Sequence, residues 1–340
     1  MPNCLWFVAL LSFAGAQAAD TFDVVGWYVG DDFSAFPPEQ LNWNVYSNIR
    51  FGGPLVDSEG FATCNRTDTL FQRMAKVALQ HKKKITWAPG AIDVWQLISN
   101  SSWATFRSNY IGSIGQAVQD CSAAVGGVIA GIEIDYECPP TVFGHGGIVS
   151  HEEALNYTQF LVQIQHAMGP GYEISADVGV WGLDGIWHEG DSYPFLLTPW
   201  INVELLKKTE NMFINTMSYH HSKSCSITEF KIDAAFAHNI WGIPKDRINL
   251  GIGYYSFNKT NPKSIGEPSW SSLSKHCPNI APNLCICDDV LFVGKQQNFE
   301  IGKFVREEGY RGVFPWAANY DSLTNNNTLI SYLGRGLGLI

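Results

Sequence analysis

The segment Gly126–Glu137, GGVIAGIEIDYE, has the pattern of a single β-strand. Its residues are mostly β-branched or small, and acidic residues stand at every second position, at Glu133, Asp135 and Glu137. Because alternate side chains of a strand project to the same face, these carboxyl groups share one face and lie about 7 Å apart. The residues between them face the other way, where an apolar layer would cover them.

Three carboxylates on one face cannot all be ionised in a dry interior, so some must be protonated, paired with a base or hydrated. Their titrations would be coupled, and neighbours could share one proton. Such a strand is costly for stability and useful for acid–base chemistry. The alternative is a polar layer inside a barrel, neutralised by Lys or Arg. We favour it less because no basic residue lies nearby in the sequence, although a distant one would serve.

The N-terminus predicts a secretory signal peptide over residues 1–18. An apolar run, Leu5–Phe13, precedes a small-residue cleavage pattern at Ala16–Ala18, and the run is too short to span a membrane. A buried first strand is the alternative. The net charge of −10 and pI of about 5.3 argue against a nucleic-acid or anionic-membrane partner. We expect a secreted monomer, with lysosomal delivery left open.

Sequons and cysteines fit secretion. Five sequons begin at Asn65, Asn100, Asn156, Asn258 and Asn326, so we expect a glycoprotein. Without Cys4, seven cysteines remain, and in an oxidising compartment most of them should form disulfides. The odd number leaves at least one thiol free or intermolecular, and the connectivity stays open. Cys285 and Cys287 have no matching His/Cys cluster, so we expect neither a metal nor a cofactor.

Strand-like and helix-like segments alternate along the rest of the chain. The expected strands are 22–30, 44–56, 84–87, 126–137, 173–180, 211–220, 248–257 and 312–317. The expected helices are 67–82, 101–123 with Ser101 and Ser102 as N-cap, 150–168 with a capping box, 227–241, 295–308 and 325–333. Asn258–Val290 is expected to be a Cys/Pro-rich loop. Eight such units predict one (β/α)8 TIM barrel over residues 19–340. An open doubly wound sheet is the rival, but no strand is followed by a nucleotide-binding glycine motif.

The acidic strand resembles the signature of glycoside hydrolase family 18, the chitinases and their relatives, written D-G-x-D-x-D-x-E. Here Ala130 and Glu133 replace the first two aspartates, whereas Asp135 and Glu137 are kept. Two later segments are also similar to the family. Met217–His220 resembles its Met-x-Tyr motif, with His in place of Asp or Asn, and Gly312–Asp321 resembles its closing segment, which contains a tryptophan.

The resemblance implies retaining, substrate-assisted hydrolysis, in which the substrate's 2-acetamido group is the nucleophile. Glu137 would protonate the glycosidic oxygen, which requires a raised pKa. Asp135 would orient the acetamido group, and Tyr219 would donate a hydrogen bond to its oxygen. Trp316 would stack on the sugar. The implied substrate is chitin or a chito-oligosaccharide.

Other residues receive supporting roles in this interpretation, each with packing as the alternative. Glu133, Met217 and His220 would support the catalytic groups. Tyr28 and Trp181 lie at or near strand ends and are candidate sugar contacts, as are Trp27 and Trp87. We expect activity to survive the Ala130 and Glu133 departures, weakened or with a shifted pH profile. Glu133→Asp would test this.

The resemblance leaves three alternatives about function. Many larger chitinases insert an α+β subdomain between strands seven and eight, and Asn258–Gly294 is too short for it. We therefore expect a compact form, similar to di-N-acetylchitobiase or a small chitinase, with a shallow cleft. The first rival is a chitinase-like lectin, although such relatives usually lose the acid that Glu137 provides here. The second is an endo-β-N-acetylglucosaminidase acting on N-glycans.

Overall fold

A computed structural model describes residues 22–30, 36–89, 94–136, 150–179, 199–217, 225–258, 265–322 and 328–340. The predicted signal peptide lies outside these residues. So do four site residues named from the sequence and one cysteine, which are Glu137, Trp181, Tyr219, His220 and Cys138.

Eight parallel strands form a closed barrel, so the predicted (β/α)8 fold is confirmed. They are β1 Asp23–Trp27, β2 Asn48–Arg50, β3 Lys84–Trp87, β4 Ile129–Asp135, β5 Glu173–Val178, β6 Met212–Thr216, β7 Ile248–Gly253 and β8 Gly312–Trp316. Each strand pairs with the next, and β8 closes the ring on β1, with Asp23 opposite Gly312. The C-terminal ends of all eight strands meet at one rim, which we call the mouth.

Helices surround the barrel. In the described residues they are α1 Thr69–Gln80, α2 Val94–Ser99, α3 Ala104–Ala124, α4 His151–Met168, α5 Val203–Lys208, α6 Thr228–Ala235, α7 Trp270–His276, α8 Lys295–Glu308 and α9 Leu329–Leu337; a π-helical turn, Phe236–Ile240, continues α6. The capping box at Ser150 is confirmed, because Ser150 and Glu153 exchange hydrogen bonds. None of these helices is both long and apolar enough to cross a bilayer.

The predicted cap of α3 was wrong, because α3 begins after Trp103, which makes no side-chain capping hydrogen bond. Asn100, not Ser101 or Ser102, accepts a hydrogen bond from a backbone amide, that of Ser102 at 2.9 Å. This contact begins a 3-10 turn, Ser101–Trp103, and α3 starts only after it. Asn is as good an N-cap as Ser, so the two serines gave the stronger visual pattern but not the stronger preference.

Two predicted strands are each divided in the structure. The segment 44–56 gives β2 and a separate short strand, Leu55–Val56, which pairs with Ala62–Thr63 outside the barrel. The segment 248–257 gives β7 and a strand, Tyr255–Asn258, that joins another sheet. At the first break Gly52, Gly53 and Pro54 are a turn signal that the prediction passed over. At the second the apolar pattern continues through Tyr254, so the sequence alone does not reveal the change of direction.

The expected loop after residue 258 was also wrong, because a small α+β insertion occupies this region. Its four-stranded antiparallel sheet has the order Ile265–Ser269, Tyr255–Asn258, Val290–Phe292 and Ile286–Cys287, and it carries α7. Each strand has five residues or fewer, which is too short for an alternating pattern to be recognised. The insertion lies between β7 and β8, as the subdomain of larger chitinases does in the resemblance given above.

Three disulfides confirm the expected cysteine pairing. Cys64–Cys121 joins the segment before α1 to α3, whereas Cys225–Cys285 and Cys277–Cys287 hold the insertion. His276 and Asp288 flank the last of these, and the four residues have possible metal-ligand atoms within 4.8 Å of one another. The two sulfur atoms are bonded to each other, however, and thiolate is the form of cysteine that binds metals.

Position 131 of the acidic strand can hold only glycine. A Cβ atom at this residue would lie 1.8 Å from the carbonyl oxygen of Glu173 in the neighbouring β5. No side chain can occupy that space, so glycine is required where the two strands approach. Ala130, one residue earlier, is only half-buried, and the structure tolerates a small side chain there in place of the family's aspartate.

Candidate active site

The interior of the barrel contains a buried polar network. Its members come from five strands and are almost fully inaccessible to solvent: Arg50 on β2, Glu133 on β4, Asp177 on β5, Asn215 on β6 and Asn249 on β7. A buried charge is costly unless it is paired and hydrogen-bonded, so the contacts within this network determine which groups are charged.

Arg50 forms an ion pair with Glu133 through Nη2 and Oε2. Ser175 on β5 donates a hydrogen bond to the same carboxylate oxygen at 3.0 Å and accepts one from Arg50 at 3.3 Å. The guanidinium also lies over the ring of Phe314, 4.3 Å from its centroid. The less favoured alternative from the sequence, a polar layer neutralised by a distant base, is therefore the correct one for Glu133, because Arg50 neutralises it.

Asn215 connects the two buried acids. Its Nδ2 donates to Glu133 Oε2 at 2.7 Å and to Asp177 Oδ1 at 2.9 Å, and its Oδ1 accepts a hydrogen bond from Asn249 at 3.1 Å. Arg50 Nη1 lies 3.7 Å from Asp177 Oδ1. Burial raises the pKa of Asp177 to about 6, while the charge of Arg50 and the hydrogen bond from Asn215 act in the opposite direction.

The residues of β4 alternate as expected. Ile132, Ile134 and Tyr136 are buried against the surrounding helices, and the hydroxyl of Tyr157 on α4 donates to the Ile134 carbonyl at 3.2 Å. Glu133 is fully buried inside the barrel, whereas Asp135, the next acidic residue of the strand, is exposed at the mouth. The acidic face thus runs from a neutralised carboxylate in the interior to a solvent-accessible one at the rim.

Two tryptophans lie close together at the mouth. Trp316 ends β8 and Trp27 ends the adjacent β1; both are half-buried, and their ring centroids are 5.0 Å apart. Asn319 fixes the following loops, because its side chain exchanges two hydrogen bonds with the backbone of Val29. Partly exposed aromatic rings at the rim of a barrel are suited to stacking on the apolar face of a sugar.

The remaining described candidates are more buried. Tyr28 is 3% exposed, its hydroxyl donates to the Phe36 carbonyl, and Trp87 is 1% exposed. This placement favours packing for both, and a sugar contact by Tyr28 stays a prediction. Met217 is buried directly after β6, where its amide donates to the Val178 carbonyl at 2.9 Å.

Four residues of the network were missed from the sequence: Arg50, Asp177, Asn215 and Asn249. A signal for Asp177 exists, because β5 reads EISADV and places Glu173, Ser175 and Asp177 on one face in the same way as β4. The other three residues offer less, since a single Arg or Asn in a short strand has many ordinary explanations. Only closure of the barrel brings these residues together.

The chain is similar to known proteins in structure but not in sequence. No protein-family model and no curated protein sequence matches the chain. Solved structures do match, and three of them are a chitinase from Bacteroides thetaiotaomicron, a family 18 chitinase from Cycas revoluta in complex with (GlcNAc)3, and catalytic domain 2 of a Group II chitinase from Ostrinia furnacalis. In that order, the identities are 19%, 16% and 16%, the TM-scores 0.68, 0.65 and 0.65.

The chain has the fold of these chitinases. The match covers 93%, 94% and 93% of this chain and 96%, 100% and 96% of theirs, in the same order. Their barrels therefore correspond to this one over nearly the full length. At identities this low the likeness establishes the fold, and function must be argued from the site.

Proposed function

We propose that the protein is a secreted glycoside hydrolase of family 18 that cleaves β-1,4-linked N-acetylglucosamine oligomers with retention of configuration. The observation that carries this proposal is the position of Asp135. It is exposed at the end of β4, at the rim where barrel enzymes hold their catalytic groups. The chitinase fold and the resemblance of residues 130–137 to the family signature support the same assignment.

The roles follow from the family mechanism. Glu137, two residues beyond Asp135, would donate the proton to the glycosidic oxygen. Asp135 would orient the acetamido group that attacks the anomeric carbon and would stabilise the resulting oxazolinium charge, with Tyr219 hydrogen-bonded to the acetamido oxygen. Trp316, half-exposed beside Trp27, would form the floor under the sugar. No cofactor is needed for this chemistry.

The substrate class has separate support. Among the solved structures with this fold, the Cycas revoluta chitinase is described in complex with (GlcNAc)3, and a mutant of it in complex with (GlcNAc)4. A soluble oligomer of N-acetylglucosamine is therefore the substrate to test first. The three disulfides agree with an oxidising, extracellular environment.

A lectin is the second candidate, and one observation favours it. In the family the second acid of the motif shares charge and a proton with the third. Here that acid is Glu133, and its ion pair with Arg50 takes it out of such sharing. If no other group replaces it, the site would bind oligosaccharides without cleaving them.

The deciding experiment compares the wild type, Glu137→Gln and a control, Glu152→Gln, on chitotetraose. Glu152 is an exposed acid in the first turn of α4, so its variant makes the same charge change on a surface helix, outside the acidic strand. Products are followed by early-time mass spectrometry, and the anomer formed first is identified by NMR. We expect the wild type and Glu152→Gln to release shorter oligomers with β ends, and Glu137→Gln to release none.

Other outcomes have defined meanings. Binding without cleavage by the wild type would refute the hydrolase and support the lectin. Release of glycan from a high-mannose glycoprotein, with chitotetraose left intact, would instead indicate an endo-β-N-acetylglucosaminidase. First products with α ends would contradict substrate-assisted retention.

A further inference from the structure

Asp135 has an acidic neighbour on the adjacent strand. The pairing of β4 with β5 places Glu133 opposite Ser175 and Asp135 opposite Asp177. Adjacent strands lie about 4.8 Å apart, and in-register residues of parallel strands project to the same face. The contact between Ser175 and Glu133 shows that this face is the interior of the barrel, so Asp135 and Asp177 stand side by side there.

The electrostatic environment of Tyr157 agrees with this placement of the two acids. This hydroxyl lies on α4, outside β4, and donates to the Ile134 carbonyl. Burial raises the pKa of Tyr157 well above its usual value, and the charges of both Asp177 and Asp135 raise it further. Both carboxyl groups therefore act on the same hydroxyl group, that of Tyr157.

We propose that Asp177 is a positioning residue for the reaction, whose neutral carboxyl group donates a hydrogen bond to the Asp135 carboxylate. This inference rests on the proposed function and deepens it. In the family, the acid two residues before Asp135 shares its proton with it. Here Glu133 is ion-paired with Arg50, and Asp177 on the neighbouring strand shares its proton with Asp135 instead.

The bonding of Asp177 suits this role. Its Oδ1 accepts the amide of Asn215 at 2.9 Å, which leaves Oδ2 to carry the proton. Burial raises the pKa of Asp177 to about 6, so the group is neutral below that pH and ionised above it. In the neutral form only Asp135 of the two is charged, and its charge faces the oxazolinium cation. In the ionised form two adjacent carboxylates repel each other.

Among the described residues, the charged, titratable and hydrogen-bonding groups around Asp177 belong to four elements. They are Arg50 on β2, Glu133 and Asp135 on β4, the amide of Asn215 on β6, and the hydroxyl of Tyr157 on α4. Arg50 forms an ion pair with Glu133, and its charge also lowers the pKa of Asp177. The proton in question therefore belongs to the Asp135–Asp177 pair and not to Glu133.

The test is the pH dependence of kcat/KM on chitotetraose between pH 5 and pH 7.5. We expect wild-type kcat/KM to include a fall of up to about 30-fold over this range from ionisation of Asp177, in addition to any fall from Glu137. Asp177→Asn keeps a hydrogen-bond donor that cannot ionise, so it should remain active and lack this component. Asp177→Leu has no donor and should lose activity at every pH.

Asp321→Asn is the matched control. Asp321 is also a buried acid whose pKa burial raises to about 6, but its carboxylate binds the backbone amides of Leu329 and Ile330 at the start of α9. Its variant should keep the wild-type pH profile. The carboxyl 13C signal of Asp135 gives a readout without turnover, since its titration should lose the step near pH 6 in Asp177→Asn.

The outcomes separate the two proposals. An active wild type whose profile is superimposable on that of Asp177→Asn would overturn the role of Asp177 and leave the hydrolase intact. An unchanged Asp135 titration in Asp177→Asn would do the same. A wild type that cleaves nothing would refute the hydrolase itself and the role of Asp177 with it.

Discussion

Replacing Arg50 by methionine tests the charge assignment inside the barrel. The guanidinium is 1% exposed and its partner Glu133 is not exposed at all, so the substitution leaves a carboxylate buried without its counter-ion. Removal of one member of a buried ion pair costs about 3–5 kcal/mol. Loss of the contact with the Phe314 ring adds about 1 kcal/mol. We therefore expect the free energy of unfolding at pH 7.5 to fall by roughly 4–6 kcal/mol.

The double variant Arg50→Met with Glu133→Gln isolates the pair. Glutamine keeps an oxygen that can accept the hydrogen bonds of Ser175 and Asn215, and it carries no charge. The double variant should therefore be more stable than Arg50→Met alone, by about 2–3 kcal/mol. The control is Arg73→Met, because Arg73 forms a two-point contact with Glu39 on the surface, where both are about half exposed. We expect it to change stability little, since solvent screens an exposed ion pair.

Urea unfolding curves for these variants, recorded at pH 7.5 and pH 5, provide the measurement. Arg50 lowers the pKa of Asp177, so in Arg50→Met this pKa rises and the carboxyl is more readily neutral at pH 5. The loss of stability should accordingly be smaller at pH 5 than at pH 7.5. A loss at pH 7.5 no larger than that of Arg73→Met would refute the buried ion pair.

Three further predictions concern packing, pH and the motif. A Cβ on Gly115 would lie 1.9 Å from a backbone oxygen of α4, whereas at Gly112 of the same helix nothing lies within 4 Å of an added Cβ. Gly115→Ala should therefore lower the free energy of unfolding by about 1–3 kcal/mol, and Gly112→Ala should raise it by about 0.5–1 kcal/mol, as measured by thermal unfolding. Because a raised carboxyl pKa favours the folded state only at low pH, the wild type should lose about 3 kcal/mol of stability as the pH rises from 4 through 6. Asp177→Asn should not show this loss, and unfolding curves across that range check it. Glu133→Asp should lower stability and leave kcat/KM below wild type; a faster enzyme would contradict this.

The barrel could be predicted from the sequence because its signals are local. The alternation of β4 and the amphipathic pattern of α1 each appear in one short window, and Ser150 with Glu153 forms a capping box within four residues. The small sheet of the insertion gave no such signal, since its strands are short and its order depends on pairings between distant segments. Disulfide partners were unpredictable for the same reason: Cys225 and Cys285 are 60 residues apart.

The residues of the candidate site also differ in whether a local sequence signal marks them. Asp135 could be named as a candidate because its motif is contiguous, Trp316 because its segment resembles the family's closing segment, and Trp27 because it lies near a strand end. Arg50, Asp177 and Asn215 were not recognised, since each becomes meaningful only when closure of the barrel places it beside Glu133. A buried arginine lowers the cost of a buried carboxylate, and no window of the sequence contains both.

The replacement of the motif's second aspartate by Glu133 is linked to the buried network. Glu133 is one methylene longer than the aspartate it replaces, and its carboxylate meets Arg50 and Ser175 deep in the barrel. A shorter side chain at this position would draw the carboxylate away from the guanidinium and leave both charges poorly paired. Restoring the family's aspartate alone should therefore not restore its arrangement. The proton-sharing partner of Asp135 then has to come from elsewhere, and β5 supplies one acid in register with it, Asp177.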